Sequence, residues 1–134
     1  MTTKNILSIR PYQEADFPEI NRWNEAQGWT NLVEKQEDTK AAWGHSNVAF
    51  VAEADGRLAG CLRGLTDGAI TLYIAELLID EAQRGKGIGK ELLAHVHALY
   101  PKTRIEMLAS STSRSYYEAQ GYRPFFGFRK TFEE

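Results

Sequence analysis

The sequence predicts a mixed α/β domain with an antiparallel first half and one parallel crossover. Three observations lead there. Two Asp-Gly pairs, Asp55-Gly56 and Asp67-Gly68, separate strand-like runs and read as short turns. Ile88, Leu92, Val96 and Leu99 recur at helical spacing and form one apolar stripe. The long run Ile70–Ile79 is apolar on both faces, as a strand at the centre of a sheet requires.

Each element has its own signal. Ile6–Arg10 alternates apolar and polar residues and meets Pro11, so it reads as a short strand. Asp16 stands three residues before Glu19 in a capping-box arrangement, and Phe17, Ile20 and Trp23 follow at helical spacing. A first helix is expected from Asp16 to about Gln27, closed by Gly28. Trp29–Glu34 is irregular, and Glu37–Trp43 reads as a second, shorter helix. Val48–Glu53 and Arg57–Arg63 form a hairpin around Asp55-Gly56, and the buried strand Ile70–Ile79 follows. The striped helix ends at Pro101, Arg104–Leu108 is a further strand, and Ser111–Gln120 is a last helix stopped by Gly121. The aromatic tail Tyr122–Phe132 suggests two final short strands. A crossover through the striped helix should leave its flanking strands parallel.

Composition narrows the function. At 134 residues, 43% hydrophobic and 25% charged, the chain is read as a single domain over residues 1–134; disorder, a collagen-like repeat and a membrane protein are excluded. Sixteen Lys and Arg against eighteen Asp and Glu give a net charge of -2, without the basic footprint of a nucleic-acid binder. Cys61 has no partner cysteine for a disulfide or a cysteine metal cluster, so a cytoplasmic setting without a metal is expected. Met1–Arg10 lacks the pattern of a secretory leader, and no membrane partner is expected from the apolar runs. His45, His95 and His97 are too scattered to suggest a metal site.

The most informative run is Gln83-Arg84-Gly85-Lys86-Gly87-Ile88-Gly89-Lys90, between the buried strand and the striped helix. Glycines let successive N–H groups approach a ligand, the helix N-terminus adds partial positive charge, and Arg84, Lys86 and Lys90 add full charges. A polyanion is the natural guest. The triphosphatase loop fails, because Gly89-Lys90 is followed by Glu91 and Arg84 holds the first glycine position. The dinucleotide fingerprint fails because Lys90 stands where the third glycine belongs.

Arg84-Gly85-Lys86-Gly87-Ile88-Gly89, with Leu77-x-Ile79 before it and Leu92-Leu93 after, resembles the acetyl-coenzyme A signature of the GNAT superfamily of N-acetyltransferases. Ser115-Tyr116-Tyr117-Glu118-Ala119-Gln120-Gly121-Tyr122 is similar to that family's second conserved segment, and the element order follows the family from Ile6 to Phe132. Glu81 departs from the proline usual after the strand, and Ser110 from a common asparagine.

The resemblance implies a central mixed sheet of about six to seven strands flanked by four helices. It implies acetyl-CoA as co-substrate: a strand that splays at a bulge, with the backbone of Leu77, Leu78 and Ile79 holding the pantetheine and an N–H near Leu78 polarising the acetyl carbonyl. The pyrophosphate would rest on amides from Gly85, Lys86, Gly87, Ile88, Gly89 and Lys90, with Arg84 and Lys86 adding charge; Ser110, Arg114 and Tyr117 complete the cofactor-binding candidates. Tyr117 matches the family's general acid, with Tyr116 as the neighbour expected to be buried. Glu76 is the candidate base, because a primary amine is protonated at neutral pH and must lose a proton before attack. Trp29 after Gly28 borders the acceptor site in some small members, and Glu34, Glu37 and Asp38 give that rim negative charge.

The expected acceptor is a small-molecule amine. A protein N-terminus or lysine, and a non-catalytic acyl-CoA sensor, are the alternatives. Each feature also has a plainer reading: a strand-to-helix turn for the glycines, an edge carboxylate for Glu76, packing for Tyr117 and Trp29. Phe125, Phe126, Phe128 and Phe132 are suited either to a homodimer interface or to closing the core.

Overall fold

The computed structural model describes residues 7–29, 34–110 and 113–134. A five-stranded sheet runs in the order β1-β2-β3-β4-β5, with β1 Leu7–Pro11, β2 Val48–Ala54, β3 Arg57–Thr66, β4 Thr71–Ile79 and β5 Arg104–Met107. The helices are α1 Phe17–Ala26, α2 Gln36–His45, α3 Ile88–Leu99 and α4 Arg114–Ala119. Strands β1 to β4 pair antiparallel, and β4 and β5, joined through α3, pair parallel. Asp55 and Gly56 both take positive φ, 54° and 79°, which matches the twist of the β2–β3 hairpin they close.

Two apolar clusters cover the two faces. On one, α3 lays Ile88, Leu92, Leu93 and Val96 against Val48, Leu62, Leu72 and Ile74. On the other, Phe17, Ile20, Trp23 and Trp43 pack over Val51, Cys61 and Leu78. Within the expected stripe Leu99 is 50% exposed, and Leu93, outside it, is buried.

Several expectations are corrected. Pro11 belongs to β1, opposite Phe50; β1 is an edge strand, where a missing N–H donor is tolerated. Asp16 precedes α1 but makes no side-chain cap; its carboxylate takes two hydrogen bonds from Arg10, at 2.8 and 2.9 Å, and one from the Gln13 N–H at 2.8 Å. The tail after Tyr122 forms no strand among the described residues, so the sheet has five strands rather than six or seven; Pro124, within the tail, lacks a backbone donor. The start of the helix expected at Ser111, and most of the irregular stretch after Trp29, lie outside the described residues.

Burial alone would raise the pKa of Asp16, but the Arg10 hydrogen bonds and the Gln13 N–H outweigh it and hold the carboxyl below its ordinary value. A carboxyl depressed in the folded state contributes stability that is complete above the unfolded value of 3.8 and is lost as pH falls through the lower folded value. Asp16→Ala should therefore cost about 2–3 kcal/mol at neutral pH, below the fully buried range because Arg10 stays partly exposed. Urea titrations at neutral and acid pH check this: the gap between wild type and variant should close on acidification.

Candidate functional site

The site is built on a bulge. Arg63 pairs with Glu76 but Gly64 pairs with Ile74, so Ala75 is the extra residue on β4. Gly64 is needed opposite it, because a Cβ there would lie 2.6 Å from the Tyr73 carbonyl oxygen. The bulge reverses the pleat. Leu72 and Ile74 face α3, then Leu77 and Ile79 face α3 again, while Leu78 enters the cluster under α1. Glu76, two residues before Leu78, is thereby turned to the α1 face.

β4 pairs with β5 only as far as Ile74–Met107 and continues past it from Ala75 to Ile79, bonded only to β3, which opens a gap between two parallel strands. The Asp80 N–H donates to Ala59 at 2.8 Å, and in this register the backbone groups of Leu78 and Glu76 also face β3. Those of Leu77 and Ile79 therefore face the gap. Of the three residues expected to line it, Leu77 and Ile79 present backbone donors and acceptors, and Leu78 is turned the other way.

At its far end the gap meets the N-terminus of α3. Gly85 and Gly87 take φ of 81° and 79°, and Gly87 caps α3 without any side-chain hydrogen bond to the first-turn donors. The N–H groups of Ile88, Gly89 and Lys90 are thus open to an anion. Arg84, Lys86 and Lys90 are exposed around them; the Arg84 Nε reaches the Ile79 carbonyl at 3.4 Å and the Lys86 Nζ reaches Gln83 at 3.0 Å. A backbone-lined slot ending in uncapped helix donors and three cations fits a long arm that leads into a diphosphate, as the pantetheine arm of coenzyme A does.

Glu76 sits beside this slot with 11% of its side chain exposed, its Oε2 accepting from the Arg63 Nε at 3.2 Å. The Arg63 guanidinium also donates to Ser46 at 3.3 Å. Glu76 Oε1 has no hydrogen-bond partner among the described residues. Arg63 is the site residue that sequence reasoning missed, since only strand register sets it opposite Glu76.

The tyrosines exchange their expected environments. Tyr117 is half-buried, packed against the α3-side cluster and edge-on to Tyr116 and Tyr122 at 5.2 and 5.7 Å. Burial, then the neighbouring Tyr116 and Tyr122, raise its phenol above the ordinary value of 10.0. Tyr116 is 41% exposed, and its hydroxyl would stand 3.5 Å from a Cβ placed on Gly89, at the mouth of the cradle beside Leu77 and Ile79.

The remaining candidates are peripheral. Ser110 is exposed and hydrogen-bonded within its turn to Ser113, and Arg114 pairs with Glu118 at 2.7 Å on the exposed side of α4. Trp29, 38% exposed, ends the α1 segment with its N–H on the Asn24 carbonyl at 3.0 Å. Cys61 is fully buried, and its thiol is pushed well up by burial and by the Glu76 charge, which makes it a poor nucleophile. Among the described residues no cluster of His, Cys, Asp and Glu could hold a metal, and no helix is long and apolar enough to cross a membrane.

Residues 45–124 match the family profile described as acetyltransferase (GNAT) domain. No curated protein matches the sequence at a significant level. Among solved structures, a GNAT-family acetyltransferase from Streptococcus pneumoniae superimposes with a TM-score of 0.77 at 18% identity, covering 98% of this chain and 100% of that one. An aminoglycoside N-acetyltransferase in complex with CoA gives 0.73 at 15% identity over 97% and 98% of the two chains. The PaiA N-acetyltransferase from Thermoplasma acidophilum, in complex with coenzyme A, gives 0.68 at 17% identity over 88% and 90%.

Proposed function

The chain belongs to the GNAT acetyltransferase family, and on that premise we propose that it transfers the acetyl group of acetyl-CoA to a primary amine of a small-molecule acceptor by direct attack, in the cytoplasm. The observation that carries this reading is the gap along Ala75–Ile79 that ends at the uncapped N-terminus of α3.

Acetyl-CoA supplies the activated acyl group, a thioester whose sulfur leaves as a thiolate. The Ile88, Gly89 and Lys90 N–H groups, with Arg84 and Lys86, hold its diphosphate, and the Leu77 and Ile79 backbones hold the arm. The Leu77 N–H, the gap-facing donor nearer the bulge, is aimed at the oxygen that gathers charge, a fixed dipole needing no reorganisation. Glu76, on the opposite face, receives the acceptor. Arg63 fixes one carboxylate oxygen and leaves the other to take the amine proton, directly or through a water. The exposed Glu34, Glu37 and Asp38 add local negative charge suited to attracting a cationic amine.

The test is thiol release from acetyl-CoA against a panel of amines, amino acids, amino sugars and a lysine peptide, run beside CoA-induced thermal stabilisation. Amine-dependent release is expected; stabilisation with no release would support a non-catalytic acyl-CoA sensor. Once an acceptor is found, Glu76→Gln should lower kcat/KM about 100-fold at neutral pH and recover as pH rises toward the pKa of the amine, where no base is needed. A loss independent of pH would make Glu76 an orienting group.

A further inference from the structure

We propose, on the premise of acetyl transfer at this site, that the acceptor is a primary amine joined by a short linker to an apolar body, aromatic or branched alkyl. Leu65 and Tyr73 form the shelf on which that body lies.

The shelf follows from strand register. Leu72 and Ile74 face α3, so Tyr73 between them points to the opposite face of the sheet. The bulge at Ala75 turns Glu76 to that face as well. Cross-strand partners share a face, so Arg63 and Glu76 form one row across β3 and β4, and Leu65 and Tyr73 form another beside it. At about 3.3 Å per residue, the Glu76 and Tyr73 positions are at most about 10 Å apart along β4. One small molecule can therefore span both, with its amine at the Glu76 carboxylate and its body over Tyr73 and Leu65.

The shelf is apolar and open. Leu65 is 48% exposed and Tyr73 is partly exposed, and neither belongs to the apolar clusters of the core. The residues of α1 and α2 pack over Val51, Cys61 and Leu78, further along the sheet. Between them the two shelf side chains carry one polar atom, the Tyr73 hydroxyl.

The polar groups around the shelf are already engaged. The Asn47 amide donates to the Thr66 carbonyl at 2.7 Å, and its Oδ1 accepts from the Thr66 N–H at 3.0 Å. The Thr66 hydroxyl donates to the Thr71 carbonyl at 2.6 Å. Glu106, beside Tyr73 on β5, is paired with Arg104 at 3.1 Å. The hydroxyls of an amino sugar, or the second ammonium of a diamine, would lose water here without gaining matched partners. An apolar body gains by leaving water, and Leu65 and Tyr73 are shielded in the same step.

Thiol release from acetyl-CoA, compared for 2-phenylethylamine, 3-methylbutylamine, ethanolamine, glucosamine and 1,4-diaminobutane, tests the assignment. kcat/KM should be about 10- to 30-fold higher for the two apolar amines than for ethanolamine, mainly through KM, as removal of an apolar group from water predicts. Leu65→Ser and Tyr73→Ser should each remove much of this preference, raising KM for 2-phenylethylamine about 5- to 10-fold with kcat nearly unchanged. Leu65 already stands half in solvent, so Leu65→Ser should fold and should be stabilised by CoA as the wild type is. An equal or higher kcat/KM for the polar amines, or a preference that survives both substitutions, would overturn the shelf and leave acetyl transfer standing. No release from any amine would overturn acetyl transfer itself, and the acceptor assignment with it.

Discussion

Gly87→Asp is expected to weaken acetyl-CoA binding about 30- to 100-fold while shifting the melting temperature of the free protein by only a few degrees. Gly87 sits at φ 79° and ψ 14°, in the left-handed region. Aspartate and asparagine are the L-residues that tolerate it best, and a Cβ at this position meets nothing within 4 Å. The substitution is therefore strained but accommodated. Its carboxylate would sit where no side chain now caps α3, and would accept from the same first-turn N–H groups that a diphosphate uses. Two charge-assisted hydrogen bonds are diverted and a like charge is added, together about 2–3 kcal/mol of binding. The helix end remains satisfied, which offsets the backbone strain. Gly87→Asn separates the effects, since it keeps the competing cap without the charge and should fall between. Calorimetric titration with CoA, beside melting curves without it, measures both. Unchanged affinity in Gly87→Asp would mean the glycines make only a strand-to-helix turn and that coenzyme A lies elsewhere.

How far the sequence could be read follows from which features are local. The Asp55-Gly56 hairpin, the Ile88–Leu92–Val96 stripe and the parallel crossover are set by residues close in sequence, and all three form as expected. The glycine-rich cradle is equally local. What depends on strand register was not readable. Nothing in Thr71–Ile79, apolar along both faces, marks Ala75 as the bulged residue, yet that bulge decides that Leu77 and Ile79 face the gap, that Leu78 does not, and that Glu76 meets Arg63. Helical phase was the second blind spot. Tyr116 and Tyr117 are consecutive on a helix of six residues, too short for an apolar stripe to say which one turns inward. Phe is frequent in strands, so the tail's composition suggests two of them, but propensity supplies no partner, and Phe125–Phe132 forms no strand among the described residues.

Tyr117→Phe is expected to reduce kcat about 100-fold and to leave the affinity for acetyl-CoA unchanged. Tyr116→Phe should do the reverse, weakening acetyl-CoA binding by about 3- to 10-fold with little effect on kcat. The two residues are adjacent in sequence but occupy different parts of the site. The Tyr116 hydroxyl stands over Gly89 at the anion cradle, where a donor can hold a phosphate oxygen. Tyr117 is half-buried against the α3-side cluster, and burial keeps its phenol protonated beyond the ordinary value of 10.0. A thiol has a pKa near 8.5, so this phenol is a weaker acid than the group it serves. Full proton transfer from Tyr117 to the departing thiolate therefore runs uphill. A hydrogen bond from the phenol to that thiolate lowers the barrier to its departure, and solvent supplies the final proton. The assignment has a signature in pH: no descending limb of kcat due to Tyr117 should have its midpoint below pH 10, because burial raises the phenol above its ordinary value. If Tyr116→Phe alone abolished turnover, the two roles would be exchanged, and the thiolate would lie at the mouth of the cradle instead of beneath the tyrosine cluster.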